Sequence, residues 1–247
     1  MPRFFIDPAN VFWDGDKQYV RITGNDAHHI THVLRTRLGE RLVACDSLGI
    51  VYQGEVTACG ETVLIEVIET HEADTEPPYK ATVYQALVKG DKMETVIQKA
   101  VEMGATTIVP VATSRAVVKL DEKDAKKKTE RWQKIAEEAA KQCGRGIVPT
   151  VALPMPFREA AKQAATADLA LFCYEGEGTL PLPTLYRQVE APETVSVFVG
   201  PEGGFSPEEA AAAKESGLAM CGLGRRILRT ETAALFVLSC LSAAYEL

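Results

Sequence analysis

Two short segments in the last third of the chain carry residues that could do chemistry. The first is Gly200-Pro201-Glu202-Gly203-Gly204-Phe205, which follows the β-prone run Val195–Val199 and precedes Ser206-Pro207-Glu208-Glu209. Ser206 suits an N-cap, Pro207 the first helical position, and Glu209 completes a capping box. A strand, a glycine loop and a capped helix present exposed backbone N–H groups at the carboxyl end of a sheet, where α/β proteins bind ligands. Glycines also let the backbone come close to a ligand. A tight β-to-α turn would use the same residues, and the loop alone does not separate the two readings. The second segment is Gly222-Leu223-Gly224-Arg225-Arg226-Ile227-Leu228-Arg229-Thr230-Glu231-Thr232, leading into the apolar stretch Ala233–Tyr245. Three arginines in a glycine-bearing loop are awkward for a mere connector. Thr230 or Thr232 could cap the following helix, and Glu231 in its first turn suits the positive end of the helix dipole. The bland alternative is a helix cap beside a solvated basic surface.

The common nucleotide fingerprints fail. No GxxxxGK[ST] occurs, and Gly222 with Gly224 gives only GxG, without the third glycine of a dinucleotide site. His28, His29 and His32 hold three of the four histidines. His28 and His32 at i, i+4 could hold a metal on a helix, but HExxH is absent and no third ligand is evident, so no metal is expected. Arg35, Arg37 and Arg41 follow closely, which reads better as a phosphate-facing edge. Lys89, Lys92, Arg115 and Arg145 are further basic positions. The run Lys119–Lys134 alternates with Asp121, Glu122, Asp124 and Glu130 and reads as an exposed, solvated helix.

These residues need elements to place them. Arg41–Asp46 and Ile50–Ala58 flank the turn Ser47-Leu48-Gly49 and predict a hairpin. Thr62–Ile68 alternates as a half-buried strand does, and one short helix is expected from about Asp26 to Leu34. Short strands at this spacing suggest a small barrel-like domain over residues 1–72. Residues 73–78, within the acidic, proline-bearing stretch HEADTEPP, read as a linker. From residue 79 to 247 strands alternate with helices. Ala81–Val88 is β-rich, Lys92–Met103 has helical periodicity, Gly104 stops it, and Thr106–Val111 is β-rich again, so the second domain is α/β with a parallel sheet. Asp91 and Glu94 resemble a capping pair. Trp132, Ile135, Ala136, Ala139, Ala140 and Cys143 form one helical stripe ended by Gly144. Asp168–Cys173 and Met220–Leu223 are the remaining strand candidates.

The chain has 247 residues, of which 46% are apolar and 25% charged, with a formal net charge of −7. That acidity excludes a protein that holds nucleic acid by bulk charge, and any such contact must use a local patch. The six cysteines are scattered without a CxxC pair, as in a reducing compartment. No secretion signal is apparent near the N-terminus, and Ala233–Tyr245 is about 13 residues, short of the roughly 20 a membrane span needs. A cytoplasmic protein is expected.

At these residues the chain resembles the 16S ribosomal RNA uridine-N3 methyltransferases of the SPOUT superfamily, over essentially its whole length. The stretches that carry the resemblance are MPRFFI, HHITHVLRTRLGE, KGDKMETVIQKAVEMGATTIVPV, SRAVV, RWQKIAEEAAKQCGRGIVP, VGPEGGFSPEE and LGRRILRTETAAL. The last two, in that order and position, are together highly specific. The resemblance implies a PUA-like β-barrel domain that helps hold RNA, followed by a SPOUT-type parallel sheet with a C-terminal trefoil knot. It implies S-adenosyl-L-methionine as cofactor, 16S ribosomal RNA or the small ribosomal subunit as substrate, and a homodimer. Its cofactor pocket maps onto Gly200, Pro201, Glu202 and Gly203, onto Leu223, Gly224, Ile227 and Leu228, and onto Leu171 and Phe172 as a wall. Thr230, Thr232 and Ala233 adjoin it.

Uridine N3 is a poor nucleophile until its imide proton is lost, and it lies on the pairing edge, so the base must be unpaired to react. Arg229 is the candidate to stabilise the resulting anion, and Glu231 the candidate to accept the proton or to orient Arg229. RNA phosphates would be met by Arg3, His28, His32, Arg35 and Arg37, and by Lys89, Lys92, Arg115, Arg145, Arg225 and Arg226. Rival readings are a SPOUT enzyme acting on another RNA or on a ribose 2′-OH, a catalytically silent RNA-binding protein, and, more distantly, a Rossmann-type oxidoreductase.

Overall fold

The computed structural model describes residues 3–247; Met1 and Pro2, which open the MPRFFI stretch and the expected first domain, lie outside them. The chain forms two compact units. One holds the chain through Glu76 together with Ala140–Val148, and the other holds Pro77–Ala139 and Pro149–Leu247.

In the first unit, alternating side chains build six strands: β1 (Arg3–Phe5), β2 (Val11–Asp14), β3 (Lys17–Thr23), β4 (Arg41–Cys45), β5 (Ile50–Ala58) and β6 (Thr62–Glu72). They form one sheet in the order β1-β4-β5-β6-β3-β2, antiparallel except for β1 on β4. The predicted hairpin is β4–β5. Asp46 holds its turn by accepting from the backbone N–H groups of Leu48 and Ile50, while Ser47 and Gly49 take positive φ. Val20, Ile22, Leu42, Val56, Val63 and Ile65 bury one face with Ala27 and Ile30. Those two come from the expected short helix, which is α1 (Gly24–His28) continued by a wider π-helical turn, His29–Val33. Strand β6 runs past the expected Ile68, and His71 and Glu72 pair with Val51 and Ile50 rather than starting a linker.

The segment Ala140–Val148 is bound to this unit by buried polar contacts. Arg145 is 3% exposed and forks onto Glu76, with Nε 2.9 Å from both carboxylate oxygens, while Gly146 N–H donates to Glu76 Oε1 at 2.8 Å. Lys141 pairs with Asp26 at 3.0 Å, Thr75 Oγ1 donates to the Gly144 carbonyl at 2.9 Å, and Arg3 donates to that same carbonyl. Arg145 therefore corrects the expectation of a phosphate contact. Its charge is neutralised inside the protein, where RNA does not reach.

The second unit alternates strands and helices: β7 (Lys80–Ala86), α2 (Lys92–Glu102), β8 (Ala105–Ala112), α3 (Glu122–Cys143), β9 (Thr150–Val151), β10 (Met155–Pro156), α4 (Phe157–Ala164), β11 (Leu169–Cys173), β12 (Leu180–Pro181), α5 (Leu182–Tyr186), β13 (Thr194–Val199), α6 (Pro207–Glu215), β14 (Ala219–Gly222) and α7 (Thr230–Tyr245). The sheet order is β10-β8-β7-β13-β11-β14-β12, with β9 also on β8. Every pairing in it is parallel. Its inner strands β11 and β13 are buried nearly throughout, as the middle of a parallel sheet requires. Gly104 ends α2 at φ +90° and Gly144 ends α3 at φ +76°. Trp132, Ala136 and Ala139 are buried, as the stripe predicted.

Two helix starts differ from expectation. Asp91 occupies the N-cap of α2 at φ −84°, ψ 3°, outside the extended conformation of a cap, and makes no side-chain capping bond, while the Glu94 side chain turns to Arg131 at 2.8 Å. At α7 neither threonine caps: Arg229 holds the N-cap position, and Thr230 is the first helical residue.

Candidate active site

The carboxyl ends of β13, β11 and β14, three neighbouring parallel strands, open into one cavity of about 860 Å³. Their following loops supply its walls, the placement expected of a ligand site on an open α/β sheet.

The loop after β13 is held from below and from the side. Phe205 is buried in an aromatic cluster, 4.2 Å from Phe172 and 5.7 Å from Phe198 between ring centroids. Gly200 eases that packing, since a Cβ there would lie 3.1 Å from the Phe205 ring and the ring would have to give by a few tenths of an ångström. Gly204 closes a turn at φ +64°, its N–H donating to the Pro201 carbonyl at 2.9 Å. The predicted capping box is present at Ser206 and Glu209. The second carboxylate oxygen of Glu209 accepts from Ser114 N–H at 2.7 Å, which draws the loop after β8 to the same place. From that loop Arg115 donates to the Gly203 carbonyl at 3.1 Å. Lys92, the first residue of α2, pairs with Glu202 at 2.7 Å. That hydrogen-bonded ammonium holds the Glu202 carboxyl below its ordinary range against the opposing effect of burial.

The loop after β14 carries the arginines. Arg225, Arg226 and Arg229 are exposed at the cavity, and Ile227 between them is 83% exposed. Gly224 turns at φ +103°. Glu231, in the first turn of α7, lines the cavity, and its Oε2, turned away from solvent, has no hydrogen-bond partner. Thr230 is buried, and its hydroxyl donates to the Gly200 carbonyl at 2.6 Å, joining the two glycine loops.

Most of the residues singled out in the sequence meet here. Gly200, Pro201, Glu202, Leu223, Gly224, Ile227, Leu228, Thr230 and Ala233 line the cavity together with Arg229, Glu231, Arg225, Arg226, Lys92 and Arg115. Gly203 stands behind the wall and receives Arg115. Three expectations need correction. Leu171 and Phe172 are fully buried beneath the cavity and do not face it, because they lie inside strand β11, whose last residue, Cys173, is the one in the lining. Thr232 is exposed and points elsewhere, one position around the helix from Glu231 and Ala233. Lys89, expected as an RNA contact and not as part of the cofactor pocket, is exposed outside the lining. Arg3, His28, His32, Arg35 and Arg37 all belong to the first unit, where the His28 and His32 rings lie 4.6 Å apart on its surface.

The wall that sequence reasoning missed is Cys173-Tyr174-Glu175-Gly176 with Thr179. The signal was available: Tyr174-Glu175-Gly176-Glu177-Gly178 is another glycine-bearing loop after a strand. Gly222 passes so close to this wall that a Cβ on it would meet Thr179 Oγ1 at 3.0 Å. Cys173 is no nucleophile, since its hydrogen bond with Cys221 and its burial raise the thiol well above its ordinary 9.0. Among the described residues no three His, Cys, Asp or Glu side chains are grouped to hold a metal ion, and no helix is long and apolar enough to cross a membrane.

A family model for an RNA methyltransferase domain matches residues 75–242, and one for an RNA methyltransferase PUA domain matches residues 22–68. The ribosomal RNA small subunit methyltransferase E of Bacillus subtilis is 38% identical over 252 aligned positions, covering 100% of this chain and 98% of the relative. The chain belongs to the ribosomal RNA small subunit methyltransferase E family. The methyltransferase E of Synechocystis is 32% identical, over 92% of this chain and 74% of the relative. A crystal structure of the Neisseria gonorrhoeae methyltransferase E bound to S-adenosyl methionine superposes with a TM-score of 0.85 at 30% identity, covering 99% of this chain and 98% of that one.

The cavity of this methyltransferase E chain suits that cofactor on its own chemistry. Glu175 and Glu231 put carboxylates in a lining that otherwise carries four arginines and the paired Lys92 and Glu202, so it offers acceptors to a cationic group and donors to an anionic one. Val199, Leu223, Leu228 and Ala233 offer apolar surface for a flat ring. Glycines at 200, 204, 222 and 224 leave backbone open to it.

Proposed function

We propose that this chain methylates N3 of a uridine in 16S ribosomal RNA, using S-adenosyl-L-methionine. The observation that carries the reading is a single cavity in which the two glycine loops, three exposed arginines and the unpartnered carboxylate of Glu231 converge. When bound, the cofactor supplies an electrophilic methyl group on a sulfonium. The chain's own residues do the rest. Arg229, at the N-cap of α7 and exposed at the cavity, stabilises the negative charge that gathers on the uracil oxygens as N3 loses its proton. Glu231, two residues on and in the same lining, accepts that proton. Arg225, Arg226 and Arg115 at the rim meet phosphates around an unpaired base, and in the first unit His28, His32, Arg35 and Arg37 hold flanking RNA.

The trefoil knot, a homodimer with α7 as an interface element, and action in the cytoplasm on the small subunit belong to the same reading. The test is methyl transfer from labelled S-adenosylmethionine to small subunits lacking the modification, followed by nucleoside analysis. A 3-methyluridine product that is lost in Arg229→Ala supports the proposal; a 2′-O-methyl nucleoside, or no labelled RNA, overturns it.

A further inference from the structure

Gln85 lies in β7, near its carboxyl end, and its side chain is fully buried. A buried amide in a parallel sheet is costly unless its groups are partnered. Its Nε2 donates to the Ala86 carbonyl at 3.1 Å and to Thr230 Oγ1 at 2.9 Å. Thr230 in turn donates to the Gly200 carbonyl at 2.6 Å. Both ends of this chain are carbonyls, which only accept. The amide must therefore present its NH2, and the hydroxyl must point at Gly200. The cost is visible: Gln85 Oε1 is buried without a partner. Core packing alone gives no reason to retain such an oxygen, and a methionine of similar length would avoid it.

We propose that Gln85 is a positioning residue for the cofactor. Through Thr230 it locks the carbonyl of Gly200, and so fixes the glycine loop after β13 against the start of α7. The relay joins an interior strand of the sheet to both cofactor loops without Gln85 itself lining the cavity. It rests on the cofactor reading given above.

Calorimetric titration with S-adenosylmethionine, in the absence of RNA, tests it. Gln85→Met weakens binding roughly ten-fold, as loss of about one buried hydrogen bond predicts, with the melting temperature nearly unchanged. Thr230→Val weakens it to a similar extent, Thr230→Ser restores it, and Gln85→Met with Thr230→Val is no weaker than the worse single variant. Ser196→Ala is the structural control. Its buried hydroxyl donates to the Ala164 carbonyl at 2.7 Å in the neighbouring strand β13, away from the cavity. Its loss lowers stability and leaves cofactor affinity alone. Wild-type affinity in Gln85→Met, additive losses in the double variant, or an equal loss in Ser196→Ala each overturn the relay. Should Gln85→Met fail to fold, the Thr230 pair decides. Absence of binding by the wild-type protein would instead strike the cofactor reading itself.

Discussion

The pair Glu76–Arg145 offers a sharp test, because sequence and structure assign Arg145 opposite jobs. Replacing Glu76 by Leu leaves a guanidinium that is 3% exposed without this carboxylate, and it strips the acceptor from Gly146 N–H. Removing one partner of a buried ion pair costs about 3–5 kcal/mol. Glu76 itself keeps 23% of its side chain in contact with water, which places the expected loss near the lower end, about 3 kcal/mol. Opening of the Ala140–Val148 segment should then become about a hundred-fold more frequent, since each 1.4 kcal/mol is a factor of ten. Amide hydrogen exchange on the full-length protein reads this directly at Gly146 and its neighbours, with urea unfolding as the global companion. Adding Arg145→Met to Glu76→Leu should recover at least half of the loss, because two apolar side chains carry no desolvation penalty. Two results would refute the reasoning. One is a Glu76→Leu protein within about 1 kcal/mol of wild type. The other is an Arg145→Met protein of full stability whose RNA binding is weaker and less salt-dependent, which would return the arginine to the RNA.

Two further outcomes follow from the packing and from the raised thiols and phenols. In Gly54→Ala the new methyl carbon would sit 2.1 Å from the Glu66 carbonyl oxygen and 2.7 Å from Ile65 Cγ2, across the β5–β6 pairing. A loss of at least about 3 kcal/mol or failure to accumulate as soluble protein is expected, and a urea midpoint equal to wild type would contradict it. Burial raises Cys45, and a hydrogen bond with Cys221 followed by burial raises Cys173, both from 9.0. Below that pH both states keep the protons and the stabilisation is fully present. Above it the unfolded chain releases protons that the folded chain retains, so stability falls as pH rises, by up to about 1.4 kcal/mol per pH unit for each thiol. Urea midpoints measured from pH 8 to 10.5 should decline, and less steeply in Cys173→Ala; a flat profile counts against the assignment.

What could be read in advance was local. Ser206 and Glu209 form their capping box, and Gly104 and Gly144 stop their helices, because those signals act within a turn of the chain. The cavity's two glycine loops were legible for the same reason. Asp91 failed as a cap because its backbone is not extended, and the reciprocal bond is lost to a distant residue, Arg131, which takes the Glu94 carboxylate. Helix α4 escaped notice because its buried stripe, Phe157, Ala160, Ala161 and Ala164, is mostly alanine and barely apolar. The order of the strands could not be read, since β7 sits between β8 and β13 through pairings far apart in sequence. The end of the strand at Cys173 was legible, but Leu171 and Phe172 were expected in the wall although both lie inside the strand, buried between the ladders to β13 and β14.

The first unit closes only with residues 140–148, contributed from beyond the start of the second. A chain emerging from the ribosome N-terminus first can assemble β1 to β6 early, yet Glu76 must wait for Arg145 to be synthesised before its charge is answered. The same interleaving limits how this family can trade parts. A recombination junction placed at Glu76 would hand a new partner the six strands without the arginine that neutralises Glu76.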